Sequence, residues 1–192
     1  MASAGSALKG SRLPNRSTFV ALLRGINVGG HNKVPMKELK ALCLELGLED
    51  PRTVLASGNL IFESKSKSTA TLAQKLEEGV KQEFGVSCRI FVLTAAEFSS
   101  VLQAARKSLP FRSSLDDGNK QVVIFLSRSA APKAQQEFLE KHQGPELVEF
   151  GEHAVYIYYV QGQGRSKLDL SKTVELGTVR NRNTLGKIEE LL

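Results

Sequence analysis

The sequence predicts an α+β protein of two intertwined ferredoxin-like halves, each of β-α-β-β-α-β type. Three observations carry this expectation. Strand-length apolar runs alternate with stretches of helical spacing, and the series occurs twice along the chain. Gly, Pro and Asn fall between the runs, where turns and helix ends need them. The principal strands are apolar at consecutive positions instead of alternate ones: Phe19–Leu23 and Val122–Leu126 have no polar face. Such strands are expected to be covered on both sides, by helices on one and by the other half on the opposite side.

The first half spans residues 18–93. Thr18–Arg24 reads as a strand, and Gly25–Val34 as a loop rich in Gly and Asn. Pro35 suits the first turn of a helix, and Met36, Leu39, Leu42, Cys43 and Leu46 recur at helical spacing up to Gly47. Thr53–Ala56 and Leu60–Glu63 are strands interrupted by Ser57-Gly58-Asn59. Ser68 or Thr69 caps a helix that buries Leu72, Leu76, Val80 and Phe84 and stops at Gly85. Ser87–Leu93 is the closing strand, and the expected plan pairs the first strand with the third.

The second half spans residues 94–192. Thr94 caps a helix over Ala95–Lys107, and Leu109–Asn119 is a polar loop. Lys120–Leu126 is a strand, and Pro132–Gln143 a helix with Phe138 and Leu139 inward. Leu147–Phe150 and Ala154–Val160 are strands, and Gln161–Arg165 is a glycine-rich loop. Leu168–Leu176 and Thr184–Leu192 read as helices, so the last helix stands where a closing strand is expected. Residues 1–17, rich in Ser, Ala and Gly and without periodicity, read as a disordered leader.

Composition narrows the classes. The chain has 192 residues, 41% hydrophobic and 24% charged, which suits one domain or two small ones around a sizeable core. No apolar run approaches the roughly 18 residues of a membrane helix. Cys43 and Cys88 form no CxxC or Cys/His cluster, so a zinc site or disulfide framework is not expected. Reduced thiols point to the cytoplasm. His31, His142 and His153 lack ligand spacing, and neither a metal nor a cofactor is expected. The net charge is +6, and Met1–Lys37 contains no acid but six bases, Lys9, Arg12, Arg16, Arg24, Lys33 and Lys37. That excess suits a polyanionic partner without requiring one.

Several motifs resemble those of a bacterial family known as the domain of unknown function sixteen-ninety-seven. They are Leu22–Gly30 followed by Asn32–Met36, Ser57-Gly58-Asn59 before Phe62, Gly164–Leu168, and Thr178–Thr184. The resemblance runs from about Thr18 to Leu192. It implies a fold of two ferredoxin-like halves and a bacterial cytosolic setting, and it implies no established activity. Arg182 stands where the family pattern has Trp.

Three segments carry the candidate site. The Arg24–Lys33 loop follows a strand and precedes a helix, so its glycines allow backbone amides to approach a ligand near the helix N-terminus. It is neither a Walker A loop nor a dinucleotide fingerprint. Arg24, Asn27, Gly29, Gly30, Asn32 and Lys33 are its candidates, and His31 is available for acid–base work. The alternative is a loop whose Gly and Asn residues only satisfy left-handed turn geometry. Ser57, Gly58 and Asn59 either turn polar groups into the same pocket or form a structural turn. Arg180, Asn181 and Asn183 form the third segment, with Arg180 as the best oxyanion contact. Its bland alternative is a helix connection in which Asn183 caps the last helix. Lys167 belongs to a weaker basic loop.

These amides and the guanidinium suit recognition better than base catalysis. The leading expectation is therefore binding of an anionic or phosphorylated small molecule. The alternatives are nucleic acid or a protein partner. An RNA-recognition sheet needs exposed aromatics, and Gly58–Phe62 offers only Phe62, while Tyr156, Tyr158 and Tyr159 fall in a strand.

Overall fold

The computed structural model describes residues 16–112, 117–175 and 177–192. The leader expected over residues 1–17 lies outside the described residues except for Arg16 and Ser17. Ser17 opens the first strand.

The first half runs β1 (Ser17–Leu23), α1 (Met36–Glu45), β2 (Glu49–Val54), β3 (Asn59–Ser64), α2 (Thr69–Phe84) and β4 (Ile90–Thr94). Its sheet has the order β2-β3-β1-β4 and is antiparallel throughout. The expected pairing of first and third strands is present, with Phe19 opposite Phe62 and Ala21 opposite Leu60. The two rings stack with centroids 5.6 Å apart. Gly85 ends α2 in the left-handed region at φ 66°, as a C-cap glycine does.

The second half runs α3 (Ala95–Lys107), α4 (Leu109–Arg112), β5 (Gln121–Phe125), α5 (Pro132–Lys141), β6 (Leu147–Phe150), β7 (Ala154–Tyr158), β8 (Thr178–Asn181) and α6 (Arg182–Glu189). Its sheet, β6-β7-β5-β8, is again antiparallel. The described residues thus form an α+β fold with two four-stranded antiparallel sheets.

Four expectations need correction. Thr178–Asn181 is a strand paired with β5, so the closing strand is present and α6 follows it. The segment read as a helix over Leu168–Leu176 is irregular among its described residues and lays Leu168, Leu170 and Val174 on the second sheet. A single turn, in which the Thr173 and Val174 amides both donate to the Leu170 carbonyl at 2.9 Å, is not continued as a helix, and the segment caps the outer face of the sheet as an irregular strap. The polar loop expected over Leu109–Asn119 begins with the short helix α4. Leu139, expected inward, is 51% exposed, because α5 rests on its sheet chiefly through Phe138.

Three apolar clusters explain why the strands lack polar faces. Phe19, Ala21 and Leu23 pack under α1 and α2. The intervening Val20 and Leu22 turn the other way and join Ile61, Phe91, Val123, Phe125 and Tyr156 from the two sheets. Phe98 and Leu102 of α3 and Leu185 and Ile188 of α6 complete that central core. On the outer face of the second sheet, Val122, Val155 and Ile157 pack beneath α5 and the Leu168–Val174 strap. Each principal strand therefore contributes alternate residues to two different cores.

Candidate functional site

The β1–α1 loop is held by its own asparagines. Asn27 and Asn32 adopt positive φ, 53° and 51°, a region that Asn visits more readily than other side-chain-bearing residues. Asn27 Nδ2 donates to the carbonyls of Val34 (3.0 Å) and Ala56 (2.8 Å), and its Oδ1 accepts from the Val34 amide at 2.9 Å. Asn32 Nδ2 donates to the Gly25 carbonyl at 3.0 Å. One side chain thus closes the loop and fastens it to the β2–β3 turn. The tip, Val28-Gly29-Gly30-His31, is exposed, and Arg24 and Lys33 project at its two ends. Among the described residues neither Arg24 nor Lys33 makes an ion pair or a side-chain hydrogen bond.

Gly58 brings the second segment against the first. It has φ +78°, and a Cβ there would lie 2.7 Å from Ile26 Cδ1 and 2.9 Å from Leu23 Cβ. Only glycine admits both the backbone and the approach. Asn59 is fully buried and donates to the Val54 carbonyl (2.7 Å) and Ser57 Oγ (3.1 Å).

Arg180 unites these parts. It sits opposite Val123 in the sheet, so its side chain leaves on the inner face, toward the first half. Its Nε donates to Asn59 Oδ1. Nη1 donates to Thr178 Oγ1 (3.0 Å) and the Val179 carbonyl (2.7 Å). Nη2 meets the carbonyls of Leu23 (2.8 Å), Ser57 (3.2 Å) and Gly58 (3.0 Å). Burial pushes the guanidinium down to about 10, which leaves it charged at neutral pH. All of these partners are neutral, so carbonyl dipoles, one side-chain amide and one hydroxyl replace its water. The oxyanion contact expected of Arg180 is therefore replaced by a clamp between the halves, because its donors are spent inside the protein.

Asn181 and Asn183 form a separate knot. Both donate to Asn119 Oδ1, at 3.0 and 3.1 Å. Asn181, and not Asn183, caps α6, accepting from the Thr184 amide at 2.9 Å. Asn119 escaped the sequence reading because its only signal was a polar loop. Lys167 lies apart again, in a cleft between α5 and the Gln161–Asp169 segment, on the outer side of the second sheet. Convergence is thus real for the loops of Asn27, Ser57–Asn59 and Arg180, and absent for Lys167.

No described group of three or more His, Cys, Asp or Glu residues is placed to hold a metal. Burial raises the Cys43 thiol to about 12, and burial with nearby Glu77 raises Cys88 to about 11, so both are protonated and unreactive at neutral pH. Among the described residues no helix is long and apolar enough to cross a membrane.

The fold and these loops define an α+β protein of paired antiparallel sheets clamped at their junction. Residues 16–156 match the family described as "Protein of unknown function (DUF1697)", and the chain belongs to that family. None of the curated proteins compared matches the chain. Among solved structures it is similar to the conserved bacterial protein SP0830 from Streptococcus pneumoniae, with 26% identity and a TM-score of 0.68. The match covers 92% of this chain and 98% of that one.

Proposed function

We propose that the chain is a binding protein for an anionic small molecule, a phosphorylated one in the first instance, held at the β1–α1 loop. Arg24 and Lys33 supply the charge, the Gly29-Gly30 tip allows backbone amides to approach the ligand, and the start of α1 adds a favourable dipole. Asn27, Asn32, Ser57, Gly58, Asn59 and Arg180 serve as the framework that holds the loop's shape. Asn181 and Asn183 brace the end of β8.

The observation that carries this reading is the pair of exposed, uncompensated cations on a loop pinned by Asn27. Phe62 is fully buried and Tyr156 and Tyr159 are nearly so, which disfavours base stacking on the strands. Backbone binding of nucleic acid is the second reading, drawn from the net charge of +6. We further read each half as ferredoxin-like, a reading supported by the shared strand order of the two sheets. A cytoplasmic setting accords with the two free thiols.

A thermal-shift screen in low salt with nucleotides, sugar phosphates, coenzyme A derivatives and a short oligonucleotide tests the proposal. A ligand at 100 times its Kd stabilises by about 2.7 kcal/mol. That raises Tm by roughly 5–10 °C for a chain of this size. A shift with a small phosphate compound, abolished by R24A/K33A, is the expected result. A shift confined to the oligonucleotide and lost with added salt favours the second reading. A ligand shift unaffected by R24A/K33A removes the loop from consideration.

A further inference from the structure

The cleft that holds Lys167 has a volume of about 590 Å³, within the range of small-molecule sites. Its two walls are tied to one buried residue, Glu146, whose side chain is 5% exposed. On the α5 side, His142 Nε2 lies 3.0 Å from the Glu146 carbonyl, and the imidazole stacks on Phe138 at 5.2 Å between centroids. Opposite, Ser166 Oγ donates to Glu146 Oε1 and accepts from the Leu168 amide at 3.0 Å. Both walls are therefore set before any ligand arrives. Around the mouth stand Lys141, Arg165 and Lys167, all exposed. None of the three makes an ion pair among the described residues. Asp169 is the one exposed carboxylate in the lining, and hydrogen bonds from Ser171 lower its pKa below the usual carboxylate value. Three free cations against that single exposed anion leave a positive rim, and Phe138 and Leu168 supply apolar surface.

We propose that this cleft is a preformed binding site for a small phosphate monoester with a compact organic body. Lys141, Arg165 and Lys167 take the dianionic group. Phe138 and Leu168 hold the body. Glu146 is a positioning residue that keeps the two walls apart at a fixed spacing. The site is separate from the β1–α1 loop and stands or falls independently of it.

Titration of the full-length, isotope-labelled chain with phenyl phosphate, followed by amide chemical shifts, tests the assignment. The expected result is perturbation of residues 141–146 and 161–169, with tighter binding than inorganic phosphate shows. R165A/K167A, its remaining spectrum unchanged, is expected to bind about tenfold more weakly. E146Q is expected to weaken binding while shifting the Ser166 and Leu168 amides in the free protein. Perturbation confined to residues 24–34 would overturn this proposal while supporting the loop site. Equal affinity of the double variant would overturn it as well.

Discussion

Arg180 determines how tightly the halves are joined. Four of its six donor contacts tie β8 to the end of β1 and to the β2–β3 turn, and the other two stay within β8. R180M removes this donor from the buried Leu23 carbonyl and from Asn59 Oδ1, while the Gly58 carbonyl keeps the Leu23 amide, and each unsatisfied buried acceptor costs about 1–3 kcal/mol. Allowing for relaxation, the expected loss is about 3–5 kcal/mol, read from the urea midpoint. R180K keeps the charge but has three donors on a flexible stem, and an intermediate loss is expected. A methionine variant as stable as the natural chain would refute the clamp. Arg180 was visible in sequence as a special cation, yet nothing local distinguished a guanidinium facing a ligand from one facing carbonyls 121–157 positions away.

At the scale of elements, local chemistry was largely legible. Thr94 was recognised as a cap, and it forms a full capping box: its Oγ1 accepts from the Glu97 amide at 3.1 Å, while Glu97 Oε2 accepts from the Thr94 amide at 2.7 Å. T94A is expected to cost about 1 kcal/mol, up to 2, measured by urea denaturation. A loss below a few tenths of a kcal/mol would mean that packing of Phe98 and Leu102, and not the cap, sets the start of α3. The signals for α2 were equally local, from Ser68 at one end to Gly85 at the other. By contrast, β8 was missed. Its four residues, Thr-Val-Arg-Asn, contain one apolar side chain, and Val179 is the one that faces outward. A strand whose inward position is an arginine carries no apolar periodicity. The strap at Leu168–Val174 erred in the opposite sense, because apolar residues at helical spacing also suit an irregular segment laid across a sheet.

For the whole molecule, the shared core decides cooperativity. Val20, Leu22, Ile61 and Phe91 of the first sheet pack with Val123, Phe125 and Tyr156 of the second, around α3 and α6. Arg106 of α3 pairs with Glu189 of α6 at 2.5 Å across the same region. Neither half can bury its second face alone, so urea unfolding is expected to be a single transition with coincident circular dichroism and tyrosine fluorescence. F98A, which opens a cavity in the shared core, should lower stability by about 3–5 kcal/mol and leave the two probes coincident. Two separated transitions would show that the halves fold independently.

What the sequence determined by itself was set by short-range chemistry: the caps of α2 and α3, the left-handed glycines and asparagines, and the two-faced burial of β1 and β5. Each depends on a residue and its near neighbours, so each leaves a mark in local order. What tertiary structure decided was the fate of the polar groups. Asn27 closes a loop onto Ala56, Arg180 clamps two sheets, and Glu146 ties two walls of a cleft. A buried polar group must find a partner wherever the fold supplies one. That partner is chosen by proximity in space, which the order of residues along the chain does not record.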